Sequence, residues 1–279
     1  MAPLHFSNLE IVAPPEVTIS RRDFLIENEE QNIEREVGAL LDKLTMEKFD
    51  SISDQIIAWA NKSETEKDGQ TLIHIIRLIF ERATDQVARS EIYARLCRKM
   101  MEAISPNVRD DGIRNTDGKP IAGGQLFRKY LLDRCQESFE RSLVLKAPVD
   151  HTVGNAVETS GEAELYSDGY HAAQEVRRRG FCLIQFLGEL YKVRMLTEFI
   201  MHECIRELLG TVENPGEEKI ESLYRLLTTV GKLLDNPKAR AHMDTYFTRM
   251  KELGKSSNVA PRVQSMLQVS FYCSRSTGN

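Results

Sequence analysis

The sequence predicts an all-α fold in which helical hairpins stack into an α-solenoid. Apolar residues recur at spacings of three and four in about ten segments, as expected for amphipathic helices. No segment shows sustained period-2 alternation, so no strand is predicted. The helices group in pairs with a period of about 40 residues, which is typical of a crescent of about five HEAT-like repeats. A compact bundle is the alternative, but long connections after alternate helices favour the solenoid.

The chain divides into an N-terminal arm, a helical domain and a tail. Residues 1–29 carry three prolines and short apolar pieces without a helical period, which predicts an extended or disordered arm. The helical domain spans residues 30–268. Residues 269–279 form a divergent tail that is predicted to be disordered. Because Val269 and Ser270 can be encoded by a splice-donor sequence, translated intron is one hypothesis for this tail, and a genuinely divergent tail is the alternative.

The N-terminal half of the helical domain holds five apolar stripes. The first begins near Glu29, and the second follows Thr45, a candidate N-cap. The polar segment Asn61–Gly69 is predicted to connect the second stripe to the third. Turn residues make Pro106–Gly124 a predicted loop, and a second irregular stretch covers residues 146–161. The stripes consist of Ile33, Val37, Leu40, Leu41 and Leu44; Phe49, Ile52, Ile56, Ile57 and Trp59; Leu72, Ile75, Ile76, Ile79 and Phe80; Ile92, Leu96 and Met100; and Leu126, Phe127, Tyr130, Leu131 and Leu132.

The C-terminal half is predicted to be helical as well. A long segment, Ala163–Arg179, precedes a segment that is apolar on most sides, Phe181–Tyr191, which indicates a buried helix. Thr197 is predicted to cap the next helix, and prolines precede or open the following ones. The remaining stripes consist of Phe199, Ile200, Ile205, Leu208 and Leu209; Ile220, Leu223, Leu226, Leu227 and Val230; Met243, Tyr246, Phe247 and Met250; and Val263, Met266 and Leu267.

Composition limits the protein classes that fit this chain. The 279 residues are 41% hydrophobic with a formal net charge of −5, so nucleic-acid contact would require a local basic patch. No two of the five cysteines are closer than Cys182 and Cys204, and there is no CxxC pair, which predicts free thiols and no zinc site. The start lacks the layout of a signal peptide, and no apolar run reaches the ~20 residues of a membrane span. We therefore expect a soluble protein of the cytoplasm or nucleus with no membrane contact.

Catalytic motifs are absent from the sequence. Gly254–Ser256 reads GKS, but a phosphate-binding loop needs a glycine where Arg249 stands. His202 and Cys204 lie two positions apart on a predicted helix, so their side chains diverge. A HExxH site would require histidine at Arg206. The sequence thus predicts no enzyme, no cofactor and no metal.

Four segments carry a resemblance to a known family. They are Leu40–Ile52 (LLDKLTMEKFDSI), Gly123–Arg141 (GGQLFRKYLLDRCQESFER), Arg177–Ile205 (RRRGFCLIQFLGELYKVRMLTEFIMHECI) and Glu221–Asp235 (ESLYRLLTTVGKLLD). Together they resemble the middle domain of eukaryotic translation initiation factor 4 gamma in its fungal form. The resemblance implies a monomeric scaffold that binds the DEAD-box RNA helicase of the cap-binding complex and stimulates its RNA-dependent ATPase. It also implies contacts with mRNA and with initiation factor 3.

The resemblance implies two sets of site residues. The apolar helicase candidates fit the core as well as a contact, whereas the polar candidates lie at a helix end beside a turn. The basic candidates fit RNA phosphate contact and a solvated helix face equally well. The helicase candidates are Leu41, Leu44, Phe49, Phe186, Glu189, Leu190, Lys192 and Arg194. The RNA candidates are Arg95, Arg98, Lys99, Arg128, Lys129, Arg177, Arg178 and Arg179.

The sequence departs from the family at several points. Trp59, the only tryptophan, lies in a predicted helix rather than in the arm, where Phe24 is the candidate replacement for the usual anchor. Gln185 and Gln264 replace the usual lysine and arginine, so we expect weaker RNA binding. Two other functions stay open: an RNA-binding HEAT module, and a HEAT scaffold for another helicase in mRNA decay or splicing.

Overall fold

The computed structural model describes residues 21–114, 118–144, 162–210, 216–255 and 261–267. Within these ranges nearly all regular structure is helical, as predicted. The helices are α1 (Arg21–Lys43), α2 (Phe49–Asn61), α3 (Gln70–Asp85), α4 (Ser90–Ala103), α5 (Gly123–Val144), α6 (Glu162–Lys192), α7 (Glu198–Leu209), α8 (Glu217–Leu234), α9 (Arg240–Leu253) and α10 (261–267). Two short 3-10 helices, Lys62–Thr65 and Val87–Arg89, lie in the connections before α3 and α4.

The helices form two layers, which is the arrangement expected of a helical solenoid. Odd-numbered helices pack along one layer, with α1 against α3, α3 against α5, and α7 against α9. Even-numbered helices pack along the other, where α2, α4, α6 and α8 each contact the next. Apart from Phe199, which is exposed, the apolar stripes face the interior between the layers, so one continuous core runs through the described helices. The prediction of an α-solenoid is confirmed.

The prediction of an extended arm is wrong for residues 21–29. These residues form the first turns of α1, which begins at Arg21 and not near residue 30. The segment holds neither proline nor glycine, and a helix that is already nucleated gains one hydrogen bond for each residue it adds. Phe24 falls in this stretch, but the structure does not describe its side chain. Residues 1–20 and the predicted tail 269–279 lie outside the described residues.

The predicted loop Pro106–Gly124 contains a small antiparallel sheet. Strand β1 (Arg109–Arg114) pairs with β2 (Pro120–Ala122), and Asp110 forms an isolated bridge with Asp68. The strands lie at the margin of the helical core, where single residues, Ile113 and Ile121, pack against it and no strand face is regularly buried. For this reason they lack the alternating apolar pattern by which strands are recognised in a sequence.

Helix α6 is continuous over 31 residues, although the sequence suggested two segments separated at Gly180. Glycine lowers helix stability by about 1 kcal/mol relative to alanine but leaves the backbone hydrogen bonds intact, so a long packed helix tolerates it. Another glycine of α6 has a packing role. A Cβ on Gly188 would lie 2.8 Å from Cγ2 of Thr229, so the missing side chain lets α6 approach α8 closely.

Of the two threonines predicted to cap helices, one does so and the other does not. Thr197 caps α7 as predicted, because its hydroxyl accepts a hydrogen bond from the Ile200 backbone N–H. Thr45 does not occupy the N-cap of α2, which begins at Phe49 after Lys48. Its hydroxyl accepts a hydrogen bond from the Lys48 N–H at 3.3 Å instead, so Thr45 stabilises the turn that leads into the helix.

Candidate functional site

The turn between α6 and α7 ends α6 with a Schellman motif. The Met195 N–H donates to the Leu190 carbonyl at 2.9 Å, and the Arg194 N–H donates to the Tyr191 carbonyl at 2.9 Å. Leu190 and Met195 are both fully buried, which is the apolar contact that accompanies this motif. Arg194 occupies the left-handed position with φ 61°, where glycine is usual. An exposed arginine is therefore held in a backbone conformation that is strained for any residue with a Cβ atom.

Hydrogen bonds join the connections between successive helical hairpins, which lie along one edge of the solenoid. The Asp111 N–H donates to the Lys67 carbonyl at 2.9 Å, which joins the hairpin to the α2–α3 connection. The Arg128 guanidinium of α5 donates to the Met195 carbonyl at 3.1 Å. We call the part of this edge formed by Lys192, Arg194, Phe199 and Leu233 the α6–α7 edge. Its side chains are exposed and available to a partner.

Phe199 is a surface residue that the sequence analysis placed on an apolar stripe. The structure leaves it 69% exposed, whereas Met201, Cys204 and Ile205 of the same helix are buried. A usable signal was present in the sequence. The residues three and four positions later, His202 and Glu203, are polar, so Phe199 shares a helix face with polar residues and not with the core stripe.

Of the polar helicase candidates, Lys192 and Arg194 lie at the surface, but Glu189 does not. Glu189 is only 6% exposed. Its carboxylate accepts hydrogen bonds from the Lys192 ammonium at 2.8 Å and from the Gln185 amide at 3.1 Å. Gln185 in turn accepts a bond from the Thr229 hydroxyl of α8 at 3.1 Å. Glu189 therefore lies in the α6–α8 interface. The prediction that its side chain is accessible to a partner is corrected by this burial.

The apolar helicase candidates belong to the core. The structure gives four of them no accessible surface, so in this fold they contribute packing and no area for contact with a partner. Phe49 is half-buried against the core, with the Lys99 ammonium 5.7 Å from its ring centroid. The stripes that hold these candidates face neighbouring helices, and that packing buries four of them. The fully buried candidates are Leu41, Leu44, Phe186 and Leu190.

The basic RNA candidates on α4 and α5 are paired within the described chain. Lys99 reaches across to α2 and lies 3.0 Å from the Asp50 carboxylate and 2.8 Å from that of Asp54. Arg128 uses its Nε–H on a backbone carbonyl. The other three pair along their own helices with a carboxylate four positions away: Arg95 with Glu91, Arg98 with Glu102, and Lys129 with Asp133.

The arginine run on α6 is divided between two neighbouring elements. Arg177 donates to Glu221 of α8 at 2.9 Å. Arg178 lies 3.0 Å from Asp85 at the end of α3 and 2.7 Å from Glu175, and Arg179 lies 3.1 Å from Glu175. Because carboxylates compensate these guanidinium groups, the run does not present three free charges to a phosphate backbone.

Further groups at the α6–α7 edge join α7 to α8 and α9. The Asn236 amide donates to the Glu198 carboxylate at 2.9 Å. His202 contacts the Tyr246 hydroxyl at 3.2 Å through Nδ1, and its ring centroid is 5.2 Å from that of His242. Burial lowers the pKa of His202, and the nearby His242 acts in the same direction. His202 is therefore a neutral packing residue near neutral pH.

Four cysteines in the described ranges, Cys97, Cys135, Cys182 and Cys204, are free, as predicted, and the structure buries all four. Burial raises their thiol pKa, in the case of Cys204 to about 12, so these groups are unreactive neutral thiols. Cys273 lies outside the described residues. Among described residues, no group of three or more His, Cys, Asp or Glu side chains is arranged to hold a metal ion. None of the described helices is long and apolar enough to cross a membrane.

Comparison with known proteins identifies relatives of this chain. Residues 34–276 match the family described as MIF4G domain. The chain is 49% identical over 236 residues to eukaryotic translation initiation factor 4 gamma of Schizosaccharomyces pombe, covering 84% of this chain and 16% of that protein. It is 40% identical over 211 residues to eukaryotic initiation factor 4F subunit p130 of Saccharomyces cerevisiae, covering 75% of this chain and 22% of that protein. The chain thus spans a minor part of the length of these relatives.

A solved structure supports the fold independently. The MIF4G domain of a Trypanosoma cruzi translation initiation factor superposes with a TM-score of 0.51 at 16% sequence identity. The match covers 86% of this chain and 93% of that structure. At this identity the likeness concerns the fold alone.

Proposed function

Because the chain belongs to the MIF4G domain family, we propose that it is a translation initiation scaffold that binds a DEAD-box RNA helicase and stimulates its RNA-dependent ATPase. The observation that carries this proposal is the 49% identity to a translation initiation factor over 84% of the chain. In this proposal the chain has no catalytic centre of its own and acts in the cytoplasm. The partner is the helicase of the cap-binding complex, and initiation factor 3 is proposed as a further partner.

The proposed mechanism is stabilisation of one helicase conformation. A DEAD-box helicase alternates between open and closed arrangements of its two lobes. A scaffold that binds one arrangement more tightly raises its population, and the free energy available is the difference between the two affinities. A helical solenoid suits this role, since its long surface can contact both lobes at once.

The α6–α7 edge is the proposed contact for one lobe. Lys192 and Arg194 are exposed there, and Arg194 forms no ion pair with any described residue. The Schellman motif and the Thr197 cap fix the backbone on both sides of the turn, so these side chains are presented from a rigid frame. Little conformational entropy is then lost when the partner binds.

RNA contact is proposed as auxiliary. Of the eight basic candidates, seven pair with carboxylates and Arg128 donates to a backbone carbonyl. An RNA phosphate would have to displace these partners. The pairing therefore favours the helicase scaffold over a module whose main activity is RNA binding.

The RNA-dependent ATPase rate of the cognate helicase, measured with and without the purified chain, tests the proposal. We expect stimulation by the native chain, and its loss in a Lys192→Glu/Arg194→Glu double variant. Lys255→Glu is the matched control, since Lys255 is exposed in the turn after α9, at the opposite edge. A folded native chain that neither binds the helicase nor changes its ATPase rate would overturn the proposal.

A further inference from the structure

We infer that Phe199 and Leu233 together form the apolar centre of a protein-docking site on the α6–α7 edge, and that its occupant is an apolar patch bordered by carboxylates on a helicase lobe. This inference rests on the proposed function and names the residues that dominate the contact. Phe199 is 69% exposed and Leu233 is 52% exposed. They are two of the five large hydrophobic side chains that are exposed in the described part of the chain.

The two side chains belong to neighbouring helix ends. Phe199 is the second residue of α7, and Leu233 lies in the last turn of α8. The hydrogen bond from Asn236 to Glu198 holds the end of α8 against the beginning of α7. The geometry thus brings an aromatic and an aliphatic residue to the same edge, although 34 positions separate them in the sequence.

Basic side chains border this apolar pair. The anionic groups nearby are half-buried, and Glu198 is already bonded to Asn236. By contrast, the cations at the ends of α6, α8 and α9 are exposed, and apart from Lys192 they form no ion pair with any described residue. These exposed cations are Lys192, Arg194, Lys232, Lys238 and Arg240. The complementary surface is therefore apolar at its centre and acidic at its rim.

The chemistry of the pair favours a protein over a nucleic acid. A base stacks on an aromatic ring, but it gains little from an aliphatic side chain such as Leu233. The exposed Pro237 extends the aliphatic area on the same edge. An aromatic anchor beside aliphatic groups with a charged rim is the usual composition of a protein interface centre. RNA is accordingly the competing occupant that the experiment must separate.

Binding of the cognate helicase to the native chain, Phe199→Ala and Leu233→Ala tests the inference. We expect Kd to rise by about tenfold for Phe199→Ala, as for an aromatic residue at an interface centre. The rise should be similar at low and high salt, because apolar contact is not screened. Val87→Ala is the matched control, since Val87 is 42% exposed in the α3–α4 connection at the opposite edge, and its Kd should equal that of the native chain.

Thermal unfolding checks that each variant folds, and exposed positions such as these should tolerate alanine. If the native chain binds the helicase and both variants bind equally well, the inference is wrong while the proposed function stands. If the native chain does not bind the helicase, the proposed function fails and the inference fails with it. If Phe199→Ala loses affinity only for a single-stranded RNA oligonucleotide, the docking inference is wrong and the site is a base-stacking surface.

Discussion

Arg177 donates a hydrogen bond of 2.9 Å to the buried carboxylate of Glu221, which joins α6 to α8 across 44 positions of sequence. Arg225 donates to the same carboxylate at 3.0 Å, and Arg262 of α10 approaches it to 3.5 Å. One carboxylate therefore connects three even-numbered helices. The ring of Phe181 lies beside two of these guanidinium groups, 4.7 Å from that of Arg225 and 5.5 Å from that of Arg177.

Replacing Glu221 with glutamine should destabilise the fold. The free energy of unfolding should fall by about 1–2 kcal/mol, because charge-assisted bonds weaken and the half-exposed arginines limit the loss. Urea unfolding followed by circular dichroism measures the change. Glu218→Gln is the control. Glu218 is more exposed than Glu221 and comes no closer than 3.9 Å to the Arg177 guanidinium, so its substitution should change the free energy of unfolding by no more than about 0.5 kcal/mol. Equal effects of the two substitutions would contradict the assignment of Glu221 as the carboxylate that stabilises this helix contact.

The contribution of Glu221 should depend on pH. Burial acts to raise its pKa, but hydrogen bonds from Arg225 and Arg177 outweigh burial, so the pKa lies below its ordinary value. A lowered folded-state pKa stabilises the protein above the unfolded-state pKa, and this stabilisation is lost as pH falls through the folded-state value. The difference in unfolding free energy between the native chain and Glu221→Gln should therefore be constant near neutral pH and shrink in acid. A difference that grows in acid would refute this.

Arg194→Gly should separate stability from binding. Glycine adopts φ 61° without the strain that arginine carries, and only part of this gain is offset by greater freedom of the unfolded chain. The free energy of unfolding should rise by about 0.5–1 kcal/mol. The Kd for the helicase should rise by about fivefold through loss of the cation, equivalent to about 1 kcal/mol. Calorimetry of unfolding and of binding gives both values, and Arg35→Ala on α1 tests for a general effect of losing an exposed arginine without placing glycine inside a helix. If Arg194→Gly is less stable than the native chain, the backbone at Arg194 is not strained. If it binds the helicase as tightly as the native chain, Arg194 does not belong to the contact.

Removing Glu175 should strengthen RNA binding. Hydrogen bonds from Arg178 and Arg179 lower its pKa to about 2 even against desolvation, so at neutral pH it is ionised and compensates both arginines. Glu175→Gln leaves Asp85 as their nearby carboxylate and should raise RNA affinity by about threefold at low salt. Fluorescence anisotropy with a single-stranded oligonucleotide measures it. Glu140→Gln removes an exposed carboxylate of α5 that bonds to Gln136 and should have a smaller effect. Equal effects would mean that only net charge matters.

Local patterns were sufficient for much of the architecture. Stripes such as Ile75, Ile76 and Ile79 identify helices because burial in a helix follows the period of the backbone itself. The same logic separates Phe199 from its stripe once its polar neighbours are considered. The β-hairpin could not be found in this way, since its strands bury no regular face and depend on backbone pairing with each other and with Asp68.

The sequence by itself determined the helical class, the paired repeat, the buried stripes and the family resemblance, because each is encoded in spacings within a few turns of one helix or in a contiguous motif. Only the tertiary structure decided which charged and apolar residues reach the surface. Glu189 is buried and Phe199 is exposed, and Arg177 and Arg178 turn to different partners, Glu221 and Asp85. Those partners lie 44 and 93 positions away, and a contact over such a separation exists only once the layers have packed.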